Sequence, residues 1–315
     1  MASINTGVSR IRPKSTKPAC YANSVHALRA ALAALALTSA FAQDFTEIRI
    51  ERAVAEHYRY LNSPAWWKEG YLVYADSPTN RVMRWGAGQK PELYLDDAQG
   101  ASGLAFDGQG RLYICQPRAR RVIRLDRNKR EQPMAEHYQG KRLNAPNDIV
   151  IRKDGAAFFT DPAFGYQQDT RELDFYGVYR LSSKGDPEPV IKWKTRPNGL
   201  ALSPNGKLLY VSDADRREVH VFDLDRSGAV SGERVFVKSI PGVPGGMCAD
   251  EKGNIYVAAR GLEIYSPDAK PLRTVQLPVA ASGCSFGDGD GQSLLVTAGP
   301  VMYRLRLDVK GAFQY

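Results

Sequence analysis

Six positions spaced along the chain form the set with the clearest chemical use: Asn62, Ser102, Asn147, Asn198, Gly245 and Ser282, of which Gly245 brings no side chain. Amide and hydroxyl groups can hydrogen bond to a substrate carbonyl or lend neutral oxygens to a hard cation. None of the six brings a carboxylate, so a ring built from them is polar but uncharged. No Gly-x-Ser-x-Gly elbow, phosphate loop, paired-His motif or CxxC spacing offers another centre. His57, His137 and His220 are scattered, and His220 falls on an alternating strand where a structural role is the simpler reading.

These positions belong together because each opens a copy of one short strand. The copies begin at Asn62, Ser102, Asn147, Asn198, Gly245 and Ser282, with spacings of 40, 45, 51, 47 and 37 residues. A repeat of this length is the mark of a four-stranded propeller blade. Turn signals follow each copy: Glu69-Gly70, Asp107-Gly108, Asp154-Gly155, Asn205-Gly206, Lys252-Gly253 and Asp288-Gly289. Glycine there provides the positive φ of a hairpin, and a second apolar strand follows. The expected fold is all-β, a six-bladed β-propeller. Its innermost strands line a central channel, with the six leading residues around one mouth.

Residues 1–42 read as a separate leader. They hold five basic residues and no acidic one, then a short apolar stretch ending Ala40-Phe41-Ala42. That describes a cleaved signal peptide. The thirteen residues from Ala30 to Ala42 are too few for a spanning helix. A periplasmic or secreted protein with no membrane attachment after cleavage is expected, with residues 43–61 as a lead-in or ring-closing segment and 62–315 as the propeller. The whole chain has 43 basic and 34 acidic residues, and without the leader 38 against 34. So mild an excess is no nucleic-acid footprint. Cys115, Cys248 and Cys284 remain, an odd number that permits one bridge without assigning it.

Several runs together resemble the gluconolactonase branch of the senescence marker protein/gluconolactonase/luciferin-regenerating enzyme family. They are Leu143-Asn144-Ala145-Pro146-Asn147-Asp148, Phe159-Thr160-Asp161-Pro162, Arg196-Pro197-Asn198-Gly199-Leu200-Ala201 and Leu209-Tyr210-Val211-Ser212-Asp213. The resemblance implies a propeller that binds a divalent cation (calcium, zinc, manganese or magnesium) at the channel mouth and hydrolyses a small-molecule lactone or related ester. Such an ion polarises the carbonyl and lowers the pKa of an attacking water. The family's ligands are a Glu, two Asn and an Asp. Asn147 and Asn198 carry over as metal ligands. The Glu of Glu-Gly-Pro-x-Trp is replaced by Asn62, a third candidate metal ligand through its neutral amide oxygen, and the Asp of Pro-Asp-Gly, the usual general base, by Gly245. Both carboxylates are missing, so the metal site is expected to be atypical.

Other acids stand near. Asp76, Asp161 and Asp213 end equivalent second strands, where an aspartate ordinarily caps the next turn. Among them Asp161 is the leading replacement base. By the period-two rule Asp148 should point away from Asn147. Blade 3 is lengthened by a loop bearing Phe164, Tyr166 and Tyr176, which with Ser102 are the substrate-binding candidates. The same loop holds Asp169, Glu172 and Asp174. The leading expectation is an exported lactone or ester hydrolase. The alternative is a non-catalytic propeller that binds a small molecule or a partner after losing its metal. No protein partner is indicated.

Overall fold

In a computed structural model, residues 50–54, 58–182 and 185–315 are described. The leader reading of residues 1–42 and His57 lie outside them. Six four-stranded antiparallel sheets follow one another, five of them pairing their strands in chain order. Their innermost strands are Leu61–Trp67, Leu104–Phe106, Ile149–Ile151, Pro197–Leu202, Met247–Ala249 and Ala281–Gly287, numbered here as blades 1 to 6. The outermost strand of blade 6 is Ile50–Arg52, which pairs with Val301–Arg306 in the register Ile50 to Leu305. A strand from early in the chain thus completes the last blade and closes the ring.

The blades pack through apolar clusters that bridge neighbours. Trp67 and Val73 of blade 1 share a cluster with Ile114 and Leu125 of blade 2. Phe158 and Val178 of blade 3 share another with Leu209 and Phe222 of blade 4. Burial of such side chains contributes roughly 1.5–3 kcal/mol each, so every blade is stabilised mainly by its two neighbours. Most hairpin turns use the glycine the sequence offers, as at Gly70, Gly155, Gly206 and Gly253 with φ of 93, 90, 65 and 85°. In blade 2 the left-handed residue is Gly110 instead of Gly108, because Asp107 Oδ1 accepts the N–H groups of both Gln109 and Arg111.

A closed circuit of hydrogen bonds runs around the mouth. Asn62 Nδ2 donates to Ser102 Oγ (3.0 Å), and Gly103 N–H to the Asn147 carbonyl (2.6 Å). Thr160 Oγ1 donates to the Asn198 carbonyl (2.7 Å), and Asn198 Nδ2 to the Pro244 carbonyl (2.8 Å). Gly246 N–H meets the Ser282 carbonyl (2.9 Å), and Ser282 Oγ donates to the Leu61 carbonyl (2.7 Å). Each inter-blade seam is therefore held at the residue that opens an inner strand or its neighbour. The opposite mouth is covered by the tail. Ala312 N–H bonds to the Ala249 carbonyl, Gln314 Nε2 to the Ser203 carbonyl, and Tyr315 packs on Trp67 at 5.3 Å between centroids.

Candidate functional site

Three inner strands are irregular where they reach the mouth. The ladder of blade 1 slips between Asn62 and Ala65, that of blade 4 between Pro197 and Leu200, and that of blade 6 between Ala281 and Gly283. A bulge breaks the alternation of faces and re-aims side chains. In blade 1 it brings Ser63 to φ 42°, a left-handed conformation that costs a non-glycine residue roughly 1–3 kcal/mol.

Asn62, Asn147, Asn198, Gly245 and Ser282 line one mouth cavity of about 590 Å³, together with Phe164 and Arg260. Ser102 lines a smaller recess beside it, which Asn62, Asn147 and Phe164 also border. The six leading residues therefore do gather at one mouth. Their side chains differ in freedom. Asn62 is engaged at both ends of its amide: its Nδ2 donates to Ser102 Oγ and its Oδ1 accepts Ser63 N–H at 3.0 Å. Asn198 donates Nδ2 to the Pro244 carbonyl and borders the cavity, and its Oδ1 accepts no bond from protein among the described residues. The Asn147 amide has no protein partner among the described residues, although its backbone is pinned through Thr160 and Gly103.

One layer deeper the blades carry Ser63, Gly103, Asp148, Gly199, Gly246 and Gly283. Glycine is required by close approach at Gly199, where a Cβ would stand 2.0 Å from the Gly245 carbonyl oxygen. Asp148 is the charged exception. It borders both the mouth cavity and the channel beneath it. This corrects the expectation that it points away from Asn147. The regular strand of blade 3 begins only at Ile149, so the two-residue alternation does not govern Asn147 and Asp148. Asp148 Oδ1 accepts Ile149 N–H (2.9 Å) and Oδ2 accepts Leu200 N–H (2.8 Å). Enclosure by protein pushes its carboxyl up to about 6, against the pull of those two donors. The signal was present in the repeat: four of six copies have glycine where blade 3 has an acid.

Asp161 occupies a different place. It is fully buried, and its two oxygens accept Asn144 and Ala145 N–H, each at 2.8 Å. It borders neither mouth cavity. Burial raises its carboxyl to about 7. Asp76 likewise caps the N–H groups of Arg59 and Tyr60, and Asp213 those of Asp215 and Arg216. All three hold the turns that lead to the mouth.

Of the loop aromatics, Phe164 lines the mouth with Arg196 5.0 Å above its ring. Tyr166 is 66% exposed, Tyr176 lies under Arg171 at 4.5 Å, and neither borders the mouth cavities. The loop acids do not converge. Glu172 pairs with Arg120 and accepts Arg142 N–H, while Asp169 and Asp174 are exposed. His137 is exposed, and His220 is buried in blade 4 between Glu218 and Glu233. Arg260, which nothing in the motifs singles out, reaches the mouth with no acidic partner among the described residues.

The donor set at the mouth does not fit a tightly held divalent cation. Gly245 has no side chain, Asn62 Oδ1 already accepts one backbone N–H, and the amide oxygens of Asn62, Asn147 and Asn198 are all neutral. Among the described residues no three His, Cys, Asp or Glu side chains gather as a metal group. Ligand charge is what tunes such affinity. The arrangement can instead hold a carbonyl and its hydroxyl neighbours by hydrogen bonds, above one carboxylate able to exchange a proton.

Comparison with known proteins identifies the family and the fold. The SMP-30/Gluconolactonase/LRE-like region matches residues 62–299. A gluconolactonase of Zymomonas mobilis is 30% identical over 292 residues, covering 82% of this chain and 81% of its own. The solved structure of a gluconolactonase from Xanthomonas campestris superposes with a TM-score of 0.79 at 32% identity, covering 85% of this chain and 93% of its own. Human regucalcin is 25% identical over 261 residues, covering 80% and 87%.

Proposed function

Because the chain belongs to the SMP-30/gluconolactonase/LRE-like family, we propose that it is a lactone hydrolase whose reaction takes place at the mouth lined by Asn147, Asn198 and Asp148. The observation that carries this reading is the placement of Asp148. It is the carboxylate lining the cavity that holds the two family asparagines, and burial brings it near the pKa a general base needs at neutral pH. The cavity volume of about 590 Å³ suits a sugar-sized lactone.

Each residue then has a task. The free Asn147 amide donates a hydrogen bond to the lactone carbonyl, and Asn198 Oδ1 accepts one from a ring hydroxyl. A water above Asp148 gives up a proton to the carboxylate as its oxygen bonds to the carbonyl carbon. When the ring C–O bond breaks, Asp148 returns that proton to the departing alkoxide oxygen. Arg260 at the rim faces the carboxylate product. Asp161, the base candidate from sequence, serves as a positioning residue: it fixes the Asn144–Ala145 turn that delivers Asn147. The family resemblance implies a divalent cation at this mouth. In this chain we read that position as degenerate and route no step through it. Export through the leader of residues 1–42 belongs to the same proposal, supported by its basic and apolar pattern.

Release of acid from gluconolactone and smaller lactones by the purified protein tests the reading. Turnover that survives a chelator and falls in Asp148→Asn supports it. A folded protein that binds lactone without turning it over would replace it with the non-catalytic alternative, which the neutral Asn62 and side-chain-free Gly245 favour.

A further inference from the structure

Two thiols meet on the wall of the channel that Asp148 also borders. Cys248 is on the inner strand of blade 5 and Cys284 on that of blade 6, and both line the channel wall. Their sulfurs lie 2.7 Å apart. The register explains the meeting. Gly246 N–H bonds to the Ser282 carbonyl across this seam, and two residues further along each strand the same faces recur at Cys248 and Cys284. The third thiol of the fold, Cys115, is buried in the second strand of blade 2 and has no sulfur partner.

We propose that Cys248 and Cys284 form a disulfide that ties blade 5 to blade 6 along the channel wall. The oxidant is an external disulfide, such as oxidised glutathione or an exchange protein. Cys248, the less buried member, attacks it as thiolate and forms a mixed disulfide, releasing one thiol. Cys284 then attacks the Cys248 sulfur and releases the second. Two thiol protons and two electrons leave the protein, and the oxidant is reduced to two thiols. Burial pushes the Cys248 thiol well above its ordinary range, so exchange in the folded protein is slow and the bridge forms chiefly as the chain folds. Closing the span between the two residues restricts the unfolded chain, which favours the folded ring.

The first measurement needs no variant. The full chain is folded in oxidised glutathione, denatured, alkylated and mapped by mass spectrometry. The expected result is one linked peptide pair joining Cys248 to Cys284, with Cys20 and Cys115 alkylated. Dithiothreitol should then lower Tm by roughly 5–10 °C. Cys115→Ser should keep that shift, whereas Cys248→Ser and Cys284→Ser should each abolish it. Four alkylated thiols, glutathione adducts alone, or a bridge to Cys115 would overturn the proposal.

Discussion

The Ser282 carbonyl oxygen accepts Gly246 N–H and stands 2.6 Å from where a Cβ on Gly245 would lie. The seam between blades 5 and 6 has closed over the position at which relatives with a Pro-Asp-Gly motif carry their aspartate. Restoring that acid here means moving backbone. Gly245→Asp and Gly245→Ala should therefore both lower Tm, by roughly 3–10 °C if overpacking costs its usual 1–3 kcal/mol. A thermal shift assay on the two variants decides it, and unchanged Tm in both would show that the seam yields freely.

The two family asparagines should separate in their effects. Asn147 makes no side-chain bond to protein among the described residues, whereas Asn198 holds the Pro244 carbonyl at 2.8 Å. Asn147→Ala should keep its Tm and lose roughly 10–100-fold in kcat/KM, the usual scale for one lost transition-state hydrogen bond or somewhat less. Asn198→Ala should lose activity and also about 1 kcal/mol of stability. Paired melting curves and lactone kinetics check both, and equal Tm losses would contradict the geometry.

Much of this was legible in the sequence. The six-fold repeat, with its turn signals, gave the blade count and placed Asn62, Asn147, Asn198, Gly245 and Ser282 at one mouth, because strand period and turn chemistry are local properties. What was not legible came from departures from local rules. The direction of Asp148 depends on where the regular strand of blade 3 begins, and that is set by Thr160, whose N–H and hydroxyl bond to Asp148 and Asn198. The occupied Oδ1 of Asn62 depends on the left-handed backbone at Ser63. The contact of Cys248 with Cys284 depends on register between strands 36 residues apart, which spacing alone does not give.

Asp161 should prove structural. Its carboxylate takes two backbone N–H groups in a fully buried turn, and an amide replacement can satisfy only one of them. Asp161→Asn should lower stability by about 1–3 kcal/mol, the cost of one unsatisfied buried donor. Measured well below its Tm, it should retain the parent pH profile. A folded variant with the acid limb of activity abolished would instead return Asp161 to the chemistry.

Chelation should leave the protein nearly unchanged. With neutral ring oxygens and no acidic group of three among the described residues, dialysis against a chelator is expected to remove any divalent ion and to alter neither Tm nor lactone turnover. Metal analysis before and after dialysis, with activity measured on the same samples, is the check. One retained ion per chain, or activity restored by calcium, zinc, manganese or magnesium, would revive the metal-dependent mechanism.

The pH dependence follows from Asp148. Its carboxyl is raised by burial from 3.8 to about 6, so the ionised, proton-accepting form dominates only above that value. kcat/KM should therefore climb through an apparent pKa near 6 and level off, while Asp148→Asn should lose roughly 10²–10⁴-fold and show no such limb. Stability runs the other way. A carboxyl whose pKa is higher in the folded state binds a proton on folding, so its contribution is complete below about pH 4 and is lost as pH rises to about 6. Asp148→Asn removes that loss, though it gives up one backbone acceptor for Leu200. The Tm of the variant relative to the parent should thus improve between pH 4 and pH 7, in the range where the parent gains activity. Calorimetry of both proteins across that range tests it. A constant difference in Tm would mean that Asp148 titrates as an ordinary exposed aspartate and is not the buried base.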